Sequence, residues 1–269
     1  MGAHKFAGFT IIETMLFFAV SGILIIMLLV GVGASLNTQR YRDSVETFKS
    51  LLQQQYADIT SVQNSRDDNW SCGNTATPST TGTVQDNRGQ SNCVLLGKYV
   101  LIQDDKVSVY KVVGYQTSEL DRGDDVSSLK NNYVMNVDKG DVESSTLEWG
   151  TQIAYPTKTN NTAYPRPPSP RSIGILVVRS PDSGQVYTFS TSDTDVTDEA
   201  SLNPTTLANT LVAGDRIPGQ GGRLICIQSN GLLQTSDRGV WINSFASTAG
   251  AVELRTNEFM ETANTGMAC

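Results

Sequence analysis

The chain has almost no histidine, and its cysteines are not spaced for metal binding. One histidine, His4, occurs in 269 residues, and it precedes a long apolar run. The rest of the chain therefore lacks a Ser-His-Asp triad, a Cys-His pair and the commonest zinc ligand. The glycine-rich segment 219–222 has neither the Lys nor the Ser/Thr of a phosphate-binding loop, and it precedes a predicted strand. We therefore predict that the protein is not an enzyme and binds no cofactor.

Charge is missing from Thr14 to Leu36, a run of about 23 residues that is long enough to cross a bilayer. It is also longer than the apolar part of an ordinary secretory signal. Lys5 on one side and Arg40 on the other leave the orientation in a membrane open. Glu13 directly precedes this run. A carboxylate without a partner costs free energy in an apolar environment, so its presence there indicates a function.

Helical periodicity continues beyond the apolar run. Apolar residues recur at steps of three, four and seven on one face, namely Tyr41, Val45, Phe48, Leu52, Ile59 and Val62, with Leu51 and Tyr56 beside them. Charged residues such as Arg42 and Glu46 fill the opposite face. The pattern predicts one helix of about 50 residues, from Thr10 to about Asn64, which is apolar all round in its first half and amphipathic in its second.

The remainder of the chain is polar and strand-rich. The composition of residues 65–92 predicts a surface loop, whereas 116–148 show no clear pattern. Five prolines predict an extended connector at 155–172. Strands are predicted at 94–102, 107–115, 173–179, 186–190, 223–228, 232–235, 240–243 and 251–255. Asp104-Asp105 marks the first turn, and Asn230-Gly231 predicts a tight hairpin between 223–228 and 232–235. The fold class is α+β: a long N-terminal helix packed on a β-rich C-terminal head, divided into 65–154, the connector and 173–269.

Four cysteines, an even number, are typical of an extracytoplasmic domain with two disulfides. Three connectivities are possible. We favour Cys72 with Cys93 and Cys226 with Cys269, because each pair lies within one predicted head region. Free buried thiols are the alternative.

An acidic segment is the one candidate for a metal site. Asp193, Asp195, Asp198 and Glu199 place four carboxylates within seven residues, and Ca²⁺ takes oxygen ligands from loops of this kind. The segment lacks the glycine and the distant glutamate of an EF-hand. A solvated acidic loop is therefore the favoured interpretation, and no metal is predicted.

The stretch Gly8-Phe9-Thr10-Ile11-Ile12-Glu13, together with the apolar run behind it, resembles the N-terminal signal of type IV pilins and pseudopilins. The resemblance implies that a prepilin peptidase cuts between Gly8 and Phe9 and methylates the new N-terminus at Phe9. It divides the chain into a leader at 1–8, a membrane and filament-core helix at 9–36 and an amphipathic continuation at 37–64. It also implies that Glu13 pairs with the N-terminal ammonium of a neighbouring subunit. The alternative is a carboxylate resting at headgroup level, where the helix dipole favours it.

The resemblance further implies a structural subunit with its N-terminus in the cytoplasm. The expected partners are other pilin subunits, prepilin peptidase, the cytoplasmic membrane and the pilus assembly machinery. The protein would lie in the cytoplasmic membrane as a single-pass protein before assembly, and in an extracellular pilus or at the cell surface afterwards. The large head favours a minor pilin or pseudopilin, and a disulfide at the chain end is similar to the C-terminal loop of many pilins.

Two alternative functions are a pseudopilin of a type II-like secretion system and a tip adhesin or DNA-uptake pilin. Residues 223–227 followed by Asn230-Gly231-Leu232 are similar to a late hairpin of H-type minor pseudopilins, a group that includes DNA-uptake pilins. However, the net charge of −7 and the slightly acidic segment 205–269 disfavour DNA or anionic lipid as the main partner. A host surface is a further candidate partner that charge does not support.

Overall fold

A computed structural model describes residues 10–61, 71–79, 92–117, 123–154, 156–158, 171–191, 196, 198–212, 222–229, 238–243, 245–256 and 267–269. The helices are α1 (Ile11–Thr60), α2 (Asp125–Asn132) and α3 (Pro204–Val212), with short 3-10 helices η1 (Glu148–Gly150), η2 (Glu199–Ser201) and η3 (Ala249–Ala251). The strands are β1 (Ser71–Cys72), β2 (Pro78–Ser79), β3 (Cys93–Gln103), β4 (Lys106–Gln116), β5 (Tyr133–Thr146), β6 (Thr151–Ala154), β7 (Thr157–Lys158), β8 (Ser172–Arg179), β9 (Val186–Ser190), β10 (Gly222–Ser229), β11 (Arg238–Asn243), β12 (Val252–Thr256) and β13 (Met267–Ala268). The predicted α+β class is confirmed.

Helix α1 is 50 residues long and changes character halfway along. Its apolar side chains are exposed as far as Leu36, whereas the second half buries one face. The buried residues are Tyr41, Ser44, Val45, Phe48, Leu52, Gln55, Tyr56 and Ile59. The predicted apolar stripe is therefore confirmed up to Ile59, with two polar residues added, and Val62 and Asn64 lie outside the described residues.

A five-stranded antiparallel sheet, in the order β5-β4-β3-β8-β9, forms the middle layer of the head. Alternation of side chains sends Val100 and Ile102 of β3 towards α1, whereas Tyr99 and Leu101 point to the other face. Leu129 of α2 packs into the core on that second face, together with Leu207 and Leu211 of α3. Because both faces are covered, β3 and β8 are almost continuously apolar.

A second antiparallel sheet, in the order β12-β11-β10-β6, packs its inner side chains into the same core as the amphipathic half of α1. Strand β6 precedes the proline-rich connector and pairs with β10, which follows it. Strand β3 likewise pairs with β8 across the connector. The two predicted head regions, 65–154 and 173–269, therefore share both of the larger sheets.

Three sequence expectations differ from the structure. The segment without a clear pattern, 116–148, contains α2 and the 14-residue β5. The connector contains the short strand β7, which pairs with β13 at the end of the chain. The predicted pairing of 223–228 with 232–235 is wrong, because β10 pairs with β11 on one edge and with β6 on the other, which places Ile227 between Arg238 and Ile153. Residues 232–235 lie outside the described residues.

Candidate functional site

The first turn of α1 is closed by a reciprocal cap between Thr10 and Glu13. The Thr10 backbone N–H donates to Glu13 Oε2 at 2.9 Å, and the Thr10 hydroxyl lies 3.0 Å from the same oxygen. The Glu13 backbone N–H donates to Thr10 Oγ1 at 3.4 Å. The assignment of Glu13 to assembly did not predict this cap. The signal is present in the sequence, because Ser/Thr followed three residues later by Glu is the signature of a capping box.

The cap holds an exposed carboxylate at the positive end of the helix dipole. Glu13 lies at the start of the apolar run, four residues along the chain from Phe9, the residue whose amino group the predicted cut would free. Gly8 and Phe9 lie outside the described residues, so cleavage and methylation stay predictions. The Glu13 carboxylate is therefore an exposed anion. It accepts hydrogen bonds from a backbone N–H and a hydroxyl, and it remains accessible to a cation.

Behind Glu13 lies a continuous apolar surface, which extends along α1 to Leu36. The exposed fractions of its large apolar side chains run from 76% at Ile11 to 45% at Leu36. This half of α1 is long and apolar enough to cross a membrane, by length and composition. An exposed apolar surface of this extent marks an interaction site.

The tyrosine at the start of the amphipathic half attaches α1 to the four-stranded sheet. Tyr41 Oη donates to the carbonyl of Ile227 at 2.7 Å and accepts from the backbone N–H of Arg238 at 2.7 Å. It thus bridges β10 and β11 at the point where they pair. The exposed and buried halves of α1 meet at this contact.

Further contacts attach the end of α1 to both large sheets. Gln53 Nε2 donates to the carbonyls of Ala249 and Val252 at 3.2 and 3.1 Å. The Tyr56 hydroxyl lies 3.0 Å from that of Thr188 on β9, and burial raises the pKa of Tyr56 to about 12. The amphipathic half of α1 is thus part of the head, whereas the apolar half projects from it.

Trp149 in η1 and Arg40 on α1 form what we call the aromatic corner, close to Tyr41, where the exposed and buried halves of α1 meet. Trp149 in η1 has a left-handed backbone (φ 58°, ψ 25°), yet 58% of it is exposed. Its ring lies 4.9 Å from Cζ of Arg40 on α1, a cation–π distance. A left-handed conformation is uncommon for a bulky residue and costs about 1–3 kcal/mol. No pattern in the sequence indicates this corner, because it depends on contact between segments far apart in the chain.

The four cysteines form two disulfides. Cys72 is joined to Cys93, with Cα atoms 6.1 Å apart, and Cys226 is joined to Cys269, with Cα atoms 5.3 Å apart. Both separations are typical of disulfides, and these are the pairs that the sequence favours. The first ties β1 to β3, and the second ties the last residue of the chain to the buried strand β10.

The acidic segment is only partly described. Asp198 caps η2 by accepting from the Ser201 backbone N–H at 2.8 Å, and the Glu199 carbonyl accepts from Lys139 Nζ at 3.0 Å. Asp193 and Asp195 lie outside the described residues. Within the described ranges, no three His, Cys, Asp or Glu side chains are placed to hold a metal ion.

No protein-family model, curated protein or solved structure matches this chain. The argument for function therefore depends on the site itself.

Proposed function

We propose that this chain is a structural subunit, a minor pilin or pseudopilin, of a type IV pilus or related filament. One observation carries the proposal: the large apolar side chains from Ile11 to Leu36 of α1 are exposed, whereas the face from Tyr41 to Ile59 is buried in the head. The apolar half needs an apolar environment. A membrane supplies that environment before assembly, and the α1 helices of other subunits supply it afterwards.

Glu13 is the second support for the proposal. It is the one carboxylate in the described residues from Thr10 to Leu36, and it lies at the end of the apolar surface. In a filament, its charge is compensated by the N-terminal ammonium that cleavage creates on a neighbouring subunit. Such a pair neutralises two charges in an apolar core, where neither is tolerated alone, and fixes the axial position of one subunit against the next.

The proposed localisation rests on the apolar half of α1 for the membrane span and on the resemblance to pilins for the orientation. The newly made chain crosses the cytoplasmic membrane once, with its N-terminus inside, where prepilin peptidase removes residues 1–8. The two disulfides fit a head outside the cytoplasm, because disulfides persist in oxidising compartments. The assembly machinery then moves the subunit into a filament with the head on its outer surface.

N-terminal mass spectrometry of the protein purified from its own cells tests the proposal. We expect the mature chain to begin with N-methylated Phe9. Replacing Gly8 by a bulky residue (Gly8→Trp) should leave an uncut precursor, whereas Gly2→Trp, a matched change inside the leader, should leave trimming intact. A wild-type protein that begins at Met1 in its own cells would refute the proposal.

A further inference from the structure

The aromatic corner at Trp149 lies close to the end of the apolar half of α1, as measured along the helix axis. Arg40 is four residues beyond Leu36, so it lies about 6 Å further along the helix axis. The headgroup region of a bilayer extends roughly 5–8 Å beyond each side of the hydrocarbon core. When residues 14–36 span that core, Arg40 lies among the headgroups, and the Trp149 ring lies beside it, 4.9 Å from Cζ of its guanidinium.

The corner that presents Trp149 is held in place on both sides. Thr151 Oγ1 donates to the Glu148 carbonyl at 3.0 Å and therefore accepts from Ser44 Oγ on α1 at 2.6 Å. The Leu147 backbone N–H donates to the Asp105 carbonyl at 2.7 Å, and Leu147 is buried. The ring is thus presented by a structured turn in a left-handed conformation rather than by a loose loop.

We propose that Trp149 and Arg40 form an anchor that docks the head onto the phospholipid headgroups of the membrane that α1 spans. Tryptophan concentrates at the membrane–water interface, because its ring is apolar and its N–H is polar. The guanidinium of Arg40 donates to lipid phosphate while one face of it covers the ring. The neighbouring Arg42 is also exposed at this end of the head.

This inference depends on the membrane insertion of α1 in the proposed function, but not on cleavage or polymerisation. The docked surface is continuous with the spanning helix, which is why lipid rather than a second protein is its occupant. The anchor holds the head against the membrane in the unassembled subunit and is released when α1 is extracted.

Fluorescence quenching in vesicles tests the anchor in the full chain. The protein is reconstituted into phosphatidylcholine vesicles made with or without lipid that is brominated near the glycerol end of its acyl chains. Subtracting the spectrum of Trp149→Phe, or of Trp149→Tyr as a second reference, isolates Trp149 from Trp70 and Trp241. We expect the Trp149 fluorescence to be lower in the brominated vesicles than in the unbrominated ones, as for a ring at the interface.

The chain offers a matched control at Phe245, which is also left-handed (φ 61°) and 66% exposed. It neighbours Ala246, whose carbonyl accepts from the Thr188 hydroxyl beside Tyr56. Tyr56 is 16 residues beyond Arg40, about 24 Å further along α1. The tryptophan introduced by Phe245→Trp in a Trp149→Phe background should therefore not be quenched.

Flotation of the vesicles separates the possible failures. If the protein floats with the vesicles but Trp149 is not quenched, or is quenched no more than the control position, the anchor is refuted while membrane insertion stands. If the protein does not float, membrane insertion is refuted, and both proposals fail.

Discussion

The Thr10 hydroxyl and the Glu13 carboxylate lie 3.0 Å apart in the first turn of α1. The residue that is proposed to pair with a neighbouring subunit thus also caps its own helix. A substitution at Glu13 changes both a charge and a cap. The two roles are separable, because a glutamine at this position still accepts from the Thr10 backbone N–H.

We predict that Glu13→Val and Glu13→Gln both block entry into filaments, whereas Thr10→Ala does not. Valine removes cap and charge, glutamine removes the charge alone, and alanine at Thr10 weakens the cap but keeps the charge. Immunoblots of membrane and sheared-filament fractions provide the measurement. All three variants should reach the membrane in normal amounts.

A different pattern contradicts the assembly role of Glu13. If Glu13→Gln enters filaments normally while Thr10→Ala does not, the cap rather than the charge is what assembly needs. Normal entry of Glu13→Val into filaments would show that assembly needs neither the charge nor the cap.

Tyr41→Phe should loosen α1 from the four-stranded sheet. The change leaves the Ile227 carbonyl and the Arg238 N–H without the hydroxyl that lies 2.7 Å from each. Buried groups that lose a partner cost about 1–3 kcal/mol, so we expect the free energy of unfolding to fall by that amount. Tyr56→Phe is the control, because Thr188 keeps its bond to the Ala246 carbonyl. Urea unfolding of the full chain in detergent measures both, and an equal or larger loss at Tyr56 would contradict the prediction.

Stability should fall between pH 10 and pH 12. Burial raises the pKa of Tyr56 from 10.0 to about 12, so in that interval the unfolded chain has lost a proton that the folded chain retains. The contribution of Tyr56 is complete below pH 10 and lost as pH rises towards 12, by roughly 2–3 kcal/mol. Burial also raises the pKa of Tyr110 and Tyr133, so Tyr56→Phe should reduce the pH dependence without abolishing it. Urea unfolding between pH 10 and pH 12 measures how the free energy of unfolding depends on pH. An unchanged pH dependence in Tyr56→Phe would refute the assignment of this loss to Tyr56.

Removing either disulfide should destabilise the head. Cys226 and Cys269 are 43 residues apart, and Cys72 and Cys93 are 21 apart. Loop-closure entropy gives losses of about 4 and about 3 kcal/mol for the paired alanine variants. Free energies of unfolding under non-reducing conditions provide the comparison. A loss below about 1 kcal/mol for the longer loop would show that the bond constrains the unfolded chain little.

Gly97→Ala should destabilise the five-stranded sheet by about 2–3 kcal/mol, because it overpacks a close contact. A Cβ at Gly97 would lie 2.8 Å from the Val178 Cα atom and would meet the Val177 carbonyl oxygen, both of them backbone groups of β8. Gly73→Ala, where nothing lies within 4 Å, should change stability by no more than about 0.5 kcal/mol. Thermal unfolding of the two variants tests this, and similar losses in both would argue against the close contact.

Much of α1 and of the candidate site is predictable from local patterns. The apolar run and the stripe from Tyr41 to Ile59 follow from helical periodicity, because residues three or four apart share a face whatever lies against it. The turn at Asp104-Asp105 and the strands on either side of it are likewise local. Glu13 stands out because a carboxylate beside an apolar run is unusual wherever the run is placed.

Strand pairing and packing between segments far apart in the chain account for the features that the sequence alone does not predict. Strand β10 pairs with β11 and β6 rather than with the nearest strand-like segment, because those partners complete a sheet that covers α1. The left-handed Trp149 is maintained by contacts with α1 residues more than 100 positions away. Local patterns along the chain are thus enough to predict a long, half-apolar helix with a carboxylate near its first turn and a β-rich head. Which strands pair, and which side chains the head exposes beside the helix, depend on the sum of contacts between segments. No pattern within a single segment contains that information, so both features become visible only in the folded chain.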